Sequence, residues 1–251
     1  MRYFDREERA LRYERYRPRV HDRVVAEIAG VRSFDRVHRA LDIGCGTGQS
    51  TAALSAVADR TVGVDISQAM LRSAPTELRG RMAAAAGESL PVRDRSMGLV
   101  VASMAFHWMD QPRVLEEIER VLAPGGEAWI YNLWFAGELD GNADFAPWVR
   151  ERYLVRFPSP ARKSKSLDKL LSPEGQLVGL GHHRWTYSVP FSALTLRNYL
   201  TTQSNVEVAL DEGASLREVD EWLDAELAPF FSGDEEESFV YGGYADFAGV
   251  A

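Results

Sequence analysis

Two strand-final acids and a run of glycines carry the most chemistry in this chain. Residues 41–48 read LDIGCGTG: an apolar run closes on Asp42, and Gly44, Gly46 and Gly48 follow at every second position around Cys45. Glycine admits positive φ and has no Cβ, so a strand-to-helix turn written this way lets backbone come close to a ligand. The helix behind it presents N–H groups. Three ligand classes use such a turn. A phosphate-cradling P-loop needs Lys-Ser/Thr after its last glycine, where Gln49-Ser50 stand. A dinucleotide turn needs Gly or Ala three places after its second glycine, and those places hold Gln49 or Thr51. The acid would also repel a pyrophosphate. It suits a cation, the α-amino group or sulfonium of S-adenosylmethionine. Asp65 closes the next apolar run, TVGVD, 23 residues after Asp42. A carboxylate there can accept hydrogen bonds from both ribose hydroxyls, with Ser67 available to cap the following helix.

These residues need strands that end on them and helices that follow. The chain supplies strands over 40–43, 61–64, 99–104 and 128–132, and helices over 47–58, 67–73 and 112–122. Apolar strands separated by helices predict right-handed crossovers and a parallel sheet covered on both faces. Upstream, residues 1–17 form a charged arm carrying Tyr3, Phe4, Leu11, Tyr13 and Tyr16, and a helix over 18–30 follows Pro18. Residues 133–182 read as irregular; a strand at 183–190, helices at 192–203 and 215–230, and a strand at 239–247 close the chain. With no repeat and no Gly/Ser-rich linker, the expected organisation over 1–251 is one domain. It comprises an N-terminal arm or lid (1–30), a cofactor-binding core (36–132), and substrate-cap helices with the last two strands (133–251).

The motifs LDIGCGTG, VGVDIS, AGESLP, VVASMAFHW and RVLAPGG occur in an order that resembles the class I S-adenosylmethionine-dependent methyltransferases. The group most resembled is methyltransferase type 11, with enzymes similar to trans-aconitate methyltransferase, which share the AFHW stretch. The resemblance implies a Rossmann-like, doubly wound α/β sheet of seven strands in order 3-2-1-4-5-7-6 with strand 7 antiparallel. It implies S-adenosylmethionine as donor, S-adenosylhomocysteine as product, and no metal. Gly87 and Glu88 are placed beside adenine, with Ile66 and Leu90 as apolar walls and Ser103 in the cofactor set. Ala86 stands where many relatives carry an acid, and Met97-Gly98 stand where relatives have an aromatic residue and Asp. Tyr13-x-x-Tyr16-Arg17-Pro18 resembles the group's first motif, which makes Tyr16 or Arg17 a partner for the methionine carboxylate.

Methyl transfer from a sulfonium needs alignment, exclusion of water and, for some acceptors, removal of a proton. Candidates belong on loops at the carboxyl ends of strands. His107 lies on such a loop and is expected as a general base or as a residue that only places the acceptor. Trp108, Trp134, Tyr13, Tyr199 and Ser204 are candidate acceptor contacts. His21, His38, His182 and His183 show no metal-ligand spacing and are read as surface or strand residues, and Cys45 as a small filler.

Composition narrows the partners. The single cysteine excludes an internal disulfide and a cysteine-built zinc site. Residues 211–237 hold eleven acids against Arg217, so the remainder is nearly neutral, and the acids read as a solvated face. No basic stripe offers itself to nucleic acid. No run approaches the roughly 18–20 apolar residues of a membrane span, and MRYFDREERALRYERYRPR lacks the apolar core of a secretory signal, so a cytoplasmic monomer or homodimer is expected. The expected reaction is methylation of a small-molecule acceptor on a carboxylate oxygen, giving a methyl ester, or on nitrogen. The alternatives are carbon methylation of a quinone or polyketide-like ring and a non-catalytic cofactor-binding module.

Overall fold

The computed structural model describes residues 5–161, 166–233 and 235–250, so Tyr3, Phe4 and Asp234 lie outside the described residues. Seven strands form one mixed sheet in the order β3-β2-β1-β4-β5-β7-β6. They are β1 (Val37–Ile43), β2 (Ala58–Asp65), β3 (Met82–Ala84), β4 (Met97–Ser103), β5 (Leu122–Leu139), β6 (Leu177–Phe191) and β7 (Glu237–Val250). The pairings β2/β3, β1/β2, β1/β4 and β4/β5 are parallel. The chain divides into two compact units. One comprises Arg19–Asn132, the described part of 162–184 and Gly243 onward; the other comprises the described residues up to Pro18, Leu133–Ala161 and Trp185–Gly242. The division takes residues from three separate stretches for each unit, where the sequence suggested consecutive segments.

In the first unit, β1 leaves the surface at Val37 and is fully buried from Ala40 to Ile43. Its apolar residues join those of β4 and β5 and the Val114, Leu115, Ile118, Val121 stripe of a helix at Gln111–Val121, spaced three and four apart as a single buried helix face requires. Asp42 sits in this stretch with no exposed surface. Its Oδ2 accepts hydrogen bonds from Ser50 Oγ and Thr51 Oγ1, both at 2.6 Å, which pins the short helix Gln49–Ala53 to the end of β1. That helix spans five residues and tightens into a 3₁₀ turn at Leu54–Ala56, shorter than the helix expected over 47–58.

The second unit is an aromatic core. Phe135, Phe145, Trp148, Tyr199, Phe230, Phe239 and Tyr241 meet at ring-centroid distances between 5.0 and 6.0 Å. The arm helix, Glu7–Tyr16, is anchored rather than solvated. Arg9 is buried and forks onto Asp211 at 2.7 and 3.1 Å while its Nε lies 2.9 Å from Glu207. Arg12 reaches Glu207 at 2.6 Å. Glu207, with no exposed surface, stands in a separate helix, Ser204–Asp211, beyond the end of the Ala193–Leu200 helix; the sequence reading ended its helix at 203 and did not mark this one. Acids of the 211–237 segment also have partners here: Asp224 binds Arg197 and Glu226 binds Arg152.

Two stability predictions follow from these buried carboxylates. Burial, opposed by the Ser50 and Thr51 hydroxyls and reinforced by Asp65, pushes Asp42 up to about 6 from 3.8. The folded state therefore holds this proton more tightly than the unfolded chain. The stabilisation is complete below 3.8 and lost as pH rises through about 6. Asp42→Asn removes that dependence, so its stability relative to the parent should rise by about 2 kcal/mol between pH 4 and 7, measured by urea denaturation. Glu207→Ala removes the buried carboxylate that Arg9 and Arg12 share. A loss of about 3–5 kcal/mol is expected for breaking a buried pair in this way, and a urea midpoint equal to the parent's would contradict it.

Candidate functional site

The glycine loop is tied to its neighbour strand by its own amides. Gly44 and Cys45 N–H both donate to the Val64 carbonyl, at 2.8 and 3.0 Å, and Gly48 N–H donates to Cys45 O at 2.9 Å. Gly46 N–H donates to Asp65 Oδ2 at 2.8 Å. With those donors engaged and only a five-residue helix behind, the loop is a tight turn with little of an anion cradle in it. All three glycines hold positive φ, at 69°, 57° and 87°. At Gly44 a Cβ would fall 2.4 Å from that of Ala105, so the loop after β1 and the loop after β4 touch only because the side chain is absent. Gly63, which the sequence reading did not single out, does the same from β2: a Cβ there would meet Cys45 Sγ at 2.7 Å and Thr51 Oγ1 at 2.8 Å. Cys45 fills that gap. Burial, with the charges of Asp42 and Asp65, pushes its thiol far above the ordinary range, which suits a filler and not a nucleophile.

Asp65 ends β2 half-buried, with Oδ2 on Gly46 N–H and Oδ1 on Ser67 N–H at 2.7 Å. Ser67 is the cap of the next helix, Gln68–Ser73: its Oγ accepts Met70 N–H. Asp65 is thus held rigidly without being spent as a cap. Ile66, beside it, is exposed, whereas Leu90 belongs to the core, so of the two apolar walls expected for adenine only Ile66 presents surface. Gly87 packs against Ile43 and Met109, and Glu88 Oε1 accepts the Asp110 N–H at 2.8 Å. These contacts join the segment after β3 to the loop after β4, beside the end of β1.

Ser103 ends β4 and is buried, its Oγ 3.5 Å from His21 Nδ1. His107 lies in the 3₁₀ turn Phe106–Trp108, half-buried, its ring 4.6 Å from that of the exposed Trp108. His21, read from sequence as a surface residue, opens the helix His21–Arg32, and its Nδ1 lies 2.9 Å from Tyr131 Oη. Nothing in the local pattern RPRVHD marks it; only the sheet order, which sets Tyr131 of β5 opposite Ser103 of β4, assembles the three. His38, His182 and His183 face Asp59, Asp246 and Glu27. Among the described residues no three His, Cys, Asp or Glu side chains group as a metal site, and no helix is long and apolar enough to cross a membrane.

The remaining candidates belong to the other unit. Arg17 donates to the Thr202 carbonyl at 2.8 Å, and its guanidinium lies 4.8 Å from the Tyr13 ring centre and 5.3 Å from that of Tyr199. Tyr199 is buried, which pushes its hydroxyl up, and Arg17 pulls it back. Tyr16 lies under Arg15 instead, and Ser204 is buried at the start of its helix. Trp134 is partly exposed, its ring seated where a Cβ on Gly242 would come within 2.4 Å. That close approach explains a glycine in the middle of β7.

Known proteins resemble this chain over the segment that carries the loop. Residues 41–130 match the family model described as a methyltransferase domain. An uncharacterised methyltransferase of Mycobacterium tuberculosis is 30% identical over 174 residues, covering 68% of this chain and 62% of its own length. A malonyl-acyl-carrier-protein O-methyltransferase of Alcanivorax borkumensis is 41% identical over 98 residues, 36% of this chain and 33% of its own. The chain therefore spans less than two thirds of these relatives. Among solved structures, one described as a putative type II methyltransferase from Anaeromyxobacter dehalogenans superposes with a TM-score of 0.68 at 22% identity, covering 93% of this chain and 96% of that one, which is a likeness of fold. Strand order, glycine loop, strand-final acids and family match together identify a class I S-adenosylmethionine-dependent methyltransferase domain in this chain.

Proposed function

We propose that this chain binds S-adenosylmethionine through the glycine loop and Asp65 and transfers its methyl group to a small carboxylic acid, forming a methyl ester. The observation that carries the donor half is Asp65, a half-buried carboxylate fixed by two backbone N–H groups at the end of β2. That fixed orientation supports the reading of Asp65 as the acceptor for the ribose hydroxyls, since little ordering is left to be done on binding. Ile66 is an exposed apolar face for adenine. Asp42 is held by hydroxyls with Asp65 nearby, so the loop carries negative charge that favours a cationic ligand over a phosphate.

The acceptor half rests on weaker constraints of chemistry. Attack by a carboxylate oxygen forms the C–O bond as the C–S bond breaks, and the electron pair stays on sulfur; no proton moves. Such a reaction asks the protein for placement and dryness alone. His107 with Trp108 would place the acceptor. The resemblance to trans-aconitate methyltransferase, and the O-methyltransferase name of the Alcanivorax relative, favour oxygen over nitrogen or carbon.

Asp65→Ala should weaken S-adenosylhomocysteine binding about tenfold or more by calorimetry, the loss expected when hydrogen bonds to a charged group go. Unchanged affinity would sink the ribose assignment. Incubating the protein with S-adenosylmethionine and panels of carboxylic acids, amines and phenols, then reading +CH₂ products by mass spectrometry, decides the acceptor. Esters are expected, and products confined to ring carbons would select the quinone-type reaction instead. His107→Ala should lower turnover while leaving S-adenosylhomocysteine affinity intact, and equal losses in both would make His107 structural.

A further inference from the structure

Arg17 is a partly buried cation with no counter-ion among the described residues. Arg9, Arg12, Arg152 and Arg197 of the same unit each face a carboxylate at 2.9 Å or less. The Arg17 guanidinium instead donates to the Thr202 carbonyl at 2.8 Å, and its Nε–H is buried and bonds to none of the described residues. It lies against the rings of Tyr13 and Tyr199, which fix where it stands. Taking a cation out of water without a counter-charge is costly, so buried charges in folded chains are paired.

The groups around Arg17 add donors and no negative charge. Tyr153, Tyr199 and Tyr241 are buried, burial pushes all three hydroxyls up, and Arg17 pulls each of them back, so all three lie within its field. They stay protonated, and a protonated phenol donates. Gln203 follows Thr202 in the chain. Its carboxamide nitrogen and the Tyr241 hydroxyl stand toward Tyr199, but both are buried and neither closes a hydrogen bond among the described residues. Glu207, four residues further on, is spent on Arg9 and Arg12. Buried polar groups without a partner are rare, and each needs a cause. Three of them, Arg17 Nε, Gln203 Nε2 and Tyr241 Oη, gather around Tyr199, and every one can donate.

We propose that Arg17, Gln203 and Tyr241 form a binding site, within the second unit, for a carboxylate group that carries no neighbouring ammonium. A guanidinium offers Nε–H and a terminal N–H side by side, which matches the two oxygens of a carboxylate. One guanidinium balances one negative charge, whereas a phosphate dianion would stay half-neutralised. The methionine end of the donor, which the family resemblance assigns to Arg17, brings an ammonium on the carbon next to its carboxylate. That ammonium needs acceptors, and the unspent groups here are donors. On the methyl-transfer reading, on which this assignment rests and which it deepens, the carboxylate belongs to the acceptor acid.

The test titrates ¹⁵N-labelled full-length protein with propanoate and acetate, and with alanine (propanoate bearing an α-ammonium), methionine and acetamide as controls. The Arg17 Nε–H resonance, identified by its loss in Arg17→Met, should move downfield with the two acids and stay in place with the controls. A resonance unmoved by either acid, or moved as far by methionine, overturns the proposal. Arg17→Met should leave S-adenosylhomocysteine affinity unchanged by calorimetry, and a joint loss would give Arg17 to the donor instead. Gln203→Met and Tyr241→Phe should each weaken propanoate about tenfold, the worth of a hydrogen bond to a charged group. Without acid, both variants should unfold in urea at the parent's midpoint or above, because each removes a buried group that has no partner. A lower midpoint would show donors that serve the fold, and would overturn the site. Propanoate held at Arg17 in a protein that methylates no acceptor leaves the site standing and overturns the methyl-transfer reading.

Discussion

Asp42 and Asp65 close adjacent parallel strands, and between them they hold the whole glycine loop. Asp42 works from behind, its Oδ2 gathering the hydroxyls of Ser50 and Thr51 and so fixing where the helix after the loop begins. Asp65 works from the side, taking Gly46 N–H on one oxygen and Ser67 N–H on the other. The loop's remaining slack is removed by Val64 O, which takes two consecutive amides. Every glycine in the turn then has a reason that is not generic flexibility. Positive φ is demanded by a chain that must bend back onto β2, and the missing Cβ at Gly44 is what lets the loop after β4 approach to contact.

This arrangement costs stability. A fully buried carboxylate held by hydroxyls, with a second carboxylate close by, is disfavoured in its charged form. On the reading proposed above, the negative charge of the two strand-final acids offsets that cost when a cationic donor binds beside them. Cys45 and Gly63 belong to the same economy of space. A larger residue at 45 would collide with β2, and any side chain at 63 would collide with Cys45 and Thr51, so the motif extends across two strands although it reads as a single run.

The sequence made the first half of the chain legible because its apolar runs are bounded by residues with definite backbone demands. It failed where structure comes from distant pairing. β3 is three residues, Met82–Ala84, at the sheet edge and without the apolar alternation that announces a strand. β5 and β6 run to 18 and 15 residues, well past the segments expected, because glycine and proline (Pro124, Gly125, Gly126 and Gly137 in β5, Gly179 and Gly181 in β6) break the pattern that announces a strand in their outer parts. The alternating signs of the charged arm give no hint of burial, yet Arg9 is buried against acids more than 190 residues away. Composition cannot separate a solvated charge from one with a buried partner.

The donor and acceptor halves differ in legibility for a chemical reason. A sulfonium cofactor is large and invariant, so its recognition leaves a fixed spelling of strand, acid, glycines and second acid. The transfer itself needs no metal ligand and, for an anionic acceptor, no base, so nothing obliges a recognisable catalytic pattern. What remains is placement, decided by which side chains the sheet brings together. His21 is the case in point: its identity is visible in the sequence, but its contact with Tyr131, 110 residues away, exists only in the folded sheet.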